Sequence, residues 1–230
     1  MMCSILQPHY LPWIGYFSMI KSVDVFIFFD DVQFIKREWK NRNKIRKTNV
    51  SSDFTWLSVP IKKHSQRKNI NICEIDYSND WQSEHLNKIR NVYANTPHFL
   101  EIYDLIEKNY KKKHKFLSEL NINLIKIIMN YLEIKTKLQK SSSLNVEGKK
   151  DFKMLNISKK INAKKIFINQ LTENYLNREM FEEKNINVIV QKFNEKKYTQ
   201  YNKKIPLEWI PKLSIIDILF NCGKNTEEFL

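Results

Sequence analysis

Two short apolar runs separated by a helical pattern occupy the first 31 residues, and they restrict the fold more than any other part of the sequence. Residues 2–6 form one apolar run, residues 15–22 carry apolar side chains at helical spacing, and residues 25–29 form a continuous second run. A continuous run is typical of a strand buried on both faces. Strand, helix and strand in so short a stretch predict a βαβ unit with parallel strands and a right-handed crossover.

Patterns of the same two kinds continue along the chain. Strands are predicted over residues 54–61, 70–76, 164–169 and 186–193. Helices are predicted over residues 81–94 with Asn79 or Asp80 as the cap, most of 99–133, 151–162, 175–184, and from Ser214 to Phe220 with Gly223 just beyond its end. We therefore predict an α/β protein that starts as a Rossmann-like parallel sheet, has a helical middle segment and ends in a C-terminal α/β part.

The pattern divides the chain into four segments. Residues 1–98 are the N-terminal α/β part and residues 99–140 the helical segment. Residues 141–150 are serine-rich at their start, contain Gly148 and show no periodicity, which is typical of a linker. Residues 151–230 form the C-terminal part, which we expect to pack back on an N-terminal cleft.

Glycine is scarce, and its positions exclude two kinds of nucleotide site. The chain has three glycines, Gly15, Gly148 and Gly223. A phosphate-binding loop of the Walker type needs two glycines five residues apart, and a dinucleotide fingerprint needs three within a short turn. A phosphate ligand here would have to be held by side chains or helix N-termini.

Other class assignments follow from composition. No apolar run reaches the roughly 18 to 20 residues that span a bilayer, and the N-terminus lacks the basic start of a secretory leader. Cys3, Cys73 and Cys222 are odd in number and widely spaced, which argues against a disulfide framework or a zinc knuckle. We expect a cytoplasmic protein without a metal site; the sequence identifies no cofactor and no oligomeric state.

The net charge of +14 permits two interpretations. It can attract a polyanion such as nucleic acid, or it can reflect lysines spread over the whole surface. Runs such as residues 111–113 lie between helical stretches, as solvated faces usually do, and this favours the second interpretation.

The turn after the first strand is the first candidate site. Open parallel sheets bind ligands at this position, and two prolines stiffen the turn. Its side chains combine an apolar body with a polar edge, which suits ligand contacts: Gln7, His9, Tyr10 and Trp13. The alternative is a rigid turn whose aromatic rings belong to the core.

Two adjacent carboxylates, Asp30 and Asp31, follow the second apolar run. Such a pair can bind a divalent cation or supply a general base, and each can equally be a cap or a salt-bridge partner. A cluster of cations, amides and aromatic residues comes next: Gln33, Lys36, Arg37, Trp39, Asn41, Arg42 and Asn43. The arginines offer planar forks for phosphate or carboxylate, and the tryptophans can stack on a sugar or base. The alternative is an ordinary basic loop.

These segments resemble the WbqC-like protein family. The resemblance is carried by Gln7-Pro8-x-Tyr10-Leu11-Pro12-Trp13-x-Gly15-Tyr16-Phe17, Asp30-Asp31-Val32-Gln33, Trp39-x-Asn41-Arg42-Asn43, residues 56–60, Trp81 with His85 and Tyr93, Tyr198 with Gln200, and residues 210–223. It is collinear from residue 5 to residue 223, and its two ends are specific. His9 and Leu6 depart from the pattern, in which a different polar residue and a histidine are expected.

The resemblance implies a place in the biosynthesis of bacterial O-antigen or other surface polysaccharides, as a glycine or other aminoacyl transferase to a sugar. It adds His85 as a candidate base, although a lone histidine is more often packed in a core. It also adds Gln200, Ser214, Asp217 and Asn221 as substrate contacts. For Ser214 and Asp217 the alternative is a capping box at the start of the last helix.

We therefore expect a transferase that modifies a sugar, most concretely by aminoacyl transfer to a nucleotide-linked amino sugar. The donor would be an aminoacyl-tRNA or an activated amino acid. A nucleotidyltransferase-like enzyme or ATP-dependent ligase is one alternative, since the chain start resembles that of nucleotidylyltransferases, but Trp13-Ile14-Gly15-Tyr16 lacks their two histidines. An RNA- or tRNA-binding module is another, and it would use the positive charge.

Overall fold

A computed structural model describes residues 1–48, 53–203 and 205–230. The strands of this part are β1 (Met2–Leu6), β2 (Val25–Phe28), β3 (Arg42–Arg46), β4 (Phe54–Ser58), β5 (Lys137–Lys140), β6 (Lys165–Ile168), β7 (Asn187–Val190), β8 (Tyr201–Asn202) and β9 (Ile205–Pro206). The α-helices are α1 (Ile14–Lys21), α2 (Trp81–Tyr93), α3 (Phe99–Tyr110), α4 (Leu117–Tyr131), α5 (Lys150–Lys160), α6 (Gln170–Glu173), α7 (Arg178–Glu182) and α8 (Ile215–Cys222).

Five parallel strands form the central sheet in the order β5-β2-β1-β6-β7. Counted along the chain, these strands take the order 3-2-1-4-5, which is that of a Rossmann-like fold. The predicted βαβ unit is confirmed: β1 and β2 are parallel, with Cys3 opposite Val25. Strand β5 was not predicted, because its sequence Lys-Leu-Gln-Lys has one apolar residue and it lies at the sheet edge.

The sheet separates two cores, and the alternation along β2 shows the division. Val25 and Ile27 face a smaller core that is closed by α5 and α7. Phe26 and Phe28 face a larger core that includes α1, α2, α3, α4 and α8. A strand buried on both faces needs this continuous apolar sequence, as predicted for a parallel sheet.

A long insertion, residues 29–136, leaves the sheet after β2 and returns at β5. It contains helices α2 to α4 and an antiparallel hairpin of β3 and β4, in which Lys44 lies opposite Trp56. The predicted strand over 70–76 was wrong. Residues 70–72 form a 3-10 turn, and the backbone N–H of Asn71 donates to Asp30 O (2.9 Å) instead of to a neighbouring strand.

Other helix predictions hold with changed limits. Asp80 caps α2 by accepting from Ser83 N, and Gly223 ends α8 with a φ of 55°. The helix predicted over 175–184 is the short α7, whose cap is Asn177. None of the helices in the described ranges is long and apolar enough to cross a membrane.

Candidate functional site

The turn after β1 is held in place by side chains from the insertion. Tyr10 N donates to Trp39 O (2.9 Å), and Asn43 Nδ2 donates to Tyr10 O (3.2 Å) and Leu11 O (2.6 Å). Asn121, which had no predicted role, donates from Nδ2 to Pro8 O and Lys40 O. The two segments singled out in the sequence therefore lie side by side, and Asn43 acts as scaffold with both amide atoms engaged.

The start of α8 also contacts this turn. Ser214 Oγ donates to Leu11 O (2.7 Å), Ile215 N donates to Pro12 O (2.9 Å), and Ser214 N donates to Lys44 O (2.8 Å). The capping box considered for Ser214 and Asp217 does not form, because the serine hydroxyl is used on the turn. The start of α8 thus contacts both the turn after β1, at Leu11 and Pro12, and the hairpin, at Lys44.

The Asp217 carboxylate lies at the centre of a buried network. It accepts from Tyr198 Oη (2.7 Å), Tyr93 Oη (2.8 Å) and Gln200 Nε2 (2.8 Å). Burial raises its pKa, and these hydrogen bonds and the charge of Arg46 act in the opposite direction. Gln200 Oε1 accepts from the Arg46 guanidinium. This network fixes Tyr198 and Gln200 against the hairpin and leaves Asp217 without exposed surface.

Asn221 is engaged in the same region. Its Nδ2 donates to Asp217 O (2.7 Å), and its Oδ1 accepts from Tyr201 N (2.8 Å). Its polar atoms therefore join α8 to the segment that leads into β8.

His85 lies in the core with both ring nitrogens bonded. Nε2 accepts from Ser58 N (3.1 Å), so the proton is on Nδ1, which bonds Tyr10 Oη (2.9 Å). Tyr10 Oη also bonds Tyr110 Oη. Burial lowers the pKa of His85 to about 3, with a further effect of the Lys88 charge. A histidine held in this way has no nitrogen available to take a proton from a substrate.

The two aspartates at the end of β2 differ in what they contact. Asp30 is buried and accepts from Ser142 Oγ (2.8 Å), Ser142 N (3.0 Å) and Ser141 Oγ (3.1 Å), which fixes the turn after β5. Asp31 pairs with Lys153 Nζ (2.6 Å) and accepts from Ser141 Oγ, but keeps 17% of its side chain exposed. Of the three predicted bases, Asp31 is the one that reaches solvent.

Residues between positions 34 and 67, which follow these aspartates in the sequence and belong to the insertion, line a cationic cleft. It has two lobes, one of about 400 Å³ and one of about 530 Å³, which share Lys36 and Gln66. The first lobe adds Arg37, Arg42 and Asn41, with Phe34, Ser58, Val59, Pro60 and Ile61 as its walls. The second adds Lys63, His64 and Arg67.

The lysines and arginines of this cleft are not neutralised by the described part of the protein, whereas His64 Nε2 lies 3.4 Å from the Glu74 carboxylate. Within residues 1–48, 53–203 and 205–230, no carboxylate forms an ion pair with Lys36, Arg37, Arg42, Lys63 or Arg67. Two buried polar atoms of the first lobe, Arg42 Nε and Asn41 Oδ1, lack a hydrogen-bond partner. Buried donors and acceptors are normally satisfied, and both atoms have almost no surface exposed to solvent, so a polar ligand would reach them only after a local side-chain movement. Arg37 has a φ of 64°, an unusual conformation for a side chain of its size.

The outer face of the hairpin continues the cleft. Arg42 Cζ lies 4.0 Å from the centre of the Trp56 ring, and Lys44 Nζ lies 3.9 Å from the Phe54 ring. Trp39 stands 5.6 Å from Trp56, between ring centres. Lys44, Phe54 and Trp56 were not predicted as site residues, although alternate positions of the two strands carry them on one face.

The remaining predicted residues, Gln7, His9, Trp13 and Gln33, do not line the cationic cleft. Gln7 makes no side-chain hydrogen bond within the described part of the chain, and Gln33 is exposed and pairs by its backbone with Asn69. Burial and the charge of Lys40 lower the pKa of His9 to about 3. The Trp13 ring lies over Gly15, where a Cβ would come within 2.3 Å of Cζ2, and its edge meets Phe193. No group of three or more metal-ligating side chains exists among the described residues.

Comparison with known proteins identifies the family of this chain. The model of the WbqC-like protein family matches residues 7–229. Over 229 residues, which are 99% of this chain and 96% of the other, the sequence is 33% identical to a protein of Mycobacterium tuberculosis (strain ATCC 25618 / H37Rv) described as "Uncharacterized protein Rv1507c". No solved structure matches the chain.

Proposed function

Because the chain belongs to the WbqC-like protein family, we propose that it is a cytoplasmic transferase of surface polysaccharide biosynthesis that acts on a nucleotide-linked sugar. The concrete reaction is transfer of an aminoacyl group to the amine of an amino sugar. The observation that carries this proposal is the cationic cleft, whose arginines form no ion pair with a carboxylate of the described residues and suit a diphosphate.

The first lobe supplies two kinds of contact that a nucleotide-linked sugar needs. Arg37, Arg42 and Lys36 provide positive charge for the diphosphate, and Asn41 contributes a buried amide oxygen that has no hydrogen-bond partner among the described residues. The half-buried Pro60 and Ile61 walls give apolar surface for a ring. Ligand sites commonly combine an apolar wall with a few convergent polar groups.

The transfer step needs a base, and Asp31 is the residue to which we assign it. The ammonium of the sugar would lose one proton to solvent, and the free amine would attack the acyl carbonyl carbon while this carboxylate takes a second proton from the nitrogen. The new C–N bond forms as the C–O bond to the donor breaks, and the proton then passes to the departing oxygen. Asp31 lies three residues before Phe34, which is part of the cleft wall. Although Asp31 pairs with Lys153, 17% of its side chain remains exposed to solvent. Lys153 would orient the carboxylate.

The test is mass spectrometry of the surface polysaccharide from a deletion strain. The repeat unit should lack one aminoacyl substituent, and complementation with the wild-type gene should restore it. Asp31→Asn and Arg42→Ala should fail to restore it, whereas Lys160→Ala, which changes an exposed lysine at the far end of α5, should succeed. An unchanged repeat unit in the deletion strain would refute the proposal. Tight binding of ATP by the purified protein would favour the ligase alternative instead.

A further inference from the structure

A continuous track of positive charge and aromatic rings runs from the cationic cleft onto the outer face of the hairpin. It begins at Lys63 and Arg67, passes Lys36 and reaches Arg42, which lines the first lobe and also covers the Trp56 ring. Beyond Trp56 lie Lys44 and then Phe54. Because Phe54 and Ser58 are the ends of β4, the hairpin part of this track extends over about 14 Å.

Two of the three rings along this track, Trp39 and Phe54, are exposed although they are large and apolar, and Trp56 between them is half-buried. Trp39 is 38% exposed and Phe54 36% exposed, and both contribute to the surface around Lys44. The acidic side chains nearby are already engaged: Glu38 pairs with Lys40 and Asp53 with Lys47. Lys44, like the cleft cations, has no carboxylate partner in the ranges that the structure describes. The track therefore presents stacking surfaces with uncompensated positive charge between them.

We infer that this track binds single-stranded RNA, and that the RNA is the end of an aminoacyl-RNA that donates the acyl group. Alternating aromatic rings and cations on a β-surface suit unpaired bases with their phosphates. The rings lie against Arg42 and Lys44 on the strand face, which suits planar bases better than insertion into a bilayer. The inference rests on the proposed function, because it names the donor of that reaction.

The chemistry balances with such a donor. The amine nitrogen attacks the ester carbonyl, the amide C–N bond forms, and the ester C–O bond to the ribose breaks. The proton taken by the base returns to the ribose oxygen, so a free RNA hydroxyl leaves. No oxidant or further co-reactant is needed.

The test is fluorescence anisotropy of the full-length protein with a labelled single-stranded RNA of about 10 nucleotides, a length within the usual range of such sites. A blunt RNA duplex and anionic phospholipid vesicles serve as competing probes. Single-stranded RNA should bind best, and the logarithm of its affinity should fall with log salt by about 0.7 for each phosphate contact. Trp56→Ala and Phe54→Ala should each weaken binding roughly 5- to 150-fold.

Matched variants separate a local effect from a general one. Tyr175→Ala removes an aromatic residue that is 60% exposed in another part of the chain and should leave RNA binding unchanged. Lys63→Ala with Arg67→Ala should reduce the salt slope by about 1.4. All variants are first compared with the wild type by circular dichroism and thermal melting.

Each remaining outcome is decisive. Binding to vesicles but not to RNA, or RNA binding that survives Trp56→Ala and Phe54→Ala in folded protein, overturns the inference. If RNA fails to bind while a nucleotide sugar still binds and Arg42→Ala abolishes that binding, this inference fails and the proposed function stands. If neither ligand binds, both fail.

Discussion

Gly15→Ala should destabilise the protein through Trp13 alone. A Cβ built at Gly15 lies 2.3 Å from Trp13 Cζ2 and 2.6 Å from Cη2, which is closer than non-bonded carbons approach. The ring cannot move freely, because its edge packs against Phe193 at 5.5 Å between centres. Overpacking of this kind costs about 1–3 kcal/mol. In a protein of this length, each kcal/mol lowers the melting temperature by about 2–4 °C.

A second substitution isolates the cause. Gly15 lies in the first turn of α1, where alanine is a better helix former by up to about 1 kcal/mol. In a Trp13→Ala background, where the clash is gone, Gly15→Ala should therefore be neutral or stabilising. The propensity gain is the same in both backgrounds and cancels, so the double-mutant cycle should give a coupling of about 1–3 kcal/mol, measured by urea unfolding of the four proteins. Equal effects of Gly15→Ala in both backgrounds would refute the reasoning, because the cost would then not come from the tryptophan.

Two further predictions concern the buried histidine and its partner. Tyr10→Phe removes the hydroxyl that bonds His85 Nδ1 and Tyr110 Oη, so it should lower the free energy of unfolding in urea by about 1–3 kcal/mol. Tyr175→Phe, at an exposed site, should leave that free energy unchanged. An unchanged unfolding midpoint for Tyr10→Phe would count against the network. The pKa of His85 is about 3 in the folded protein and about 6.5 when unfolded, so the unfolded chain binds the extra proton as the pH falls between these values. The contribution of His85 to the free energy of unfolding should be fully present above pH 6.5 and should decline towards pH 3 by about 1.4 kcal/mol per pH unit. His85→Gln should flatten that slope. An identical slope in the variant would contradict the assignment.

Local patterns predicted the sheet well where burial is two-sided. The apolar runs of β1 and β2 correspond to strands whose side chains enter both cores. Strand β5 escaped prediction because an edge strand needs few apolar residues. Residues 70–76 were misassigned because an apolar run says nothing about which backbone partner is available, and here Asn71 N bonds Asp30 O.

The positions of the candidate site residues were easier to predict from the sequence than their roles. The sequence singled out the turn after β1 and residues 30–43 as separate candidate segments, and the structure brings Tyr10 to Trp39 and Asn43 to Leu11. The sequence does not reveal which polar side-chain atoms form hydrogen bonds inside the protein. Long-range hydrogen bonds use both nitrogens of His85 and the carboxylate of Asp217 inside the protein. The second lobe was missed because Lys63 and Arg67 approach Lys36 only after the chain has folded.

Isothermal titration calorimetry with a panel of nucleoside diphosphate sugars tests most directly whether the cationic cleft holds the substrate. At least one should bind, and Arg37→Ala and Arg42→Ala should each reduce its affinity roughly 10- to 150-fold, the effect of losing a hydrogen bond to a charged group. Lys160→Ala should bind like the wild type. Binding that is unaffected by both arginine substitutions, or absence of binding by every nucleotide sugar in the panel, would contradict the account.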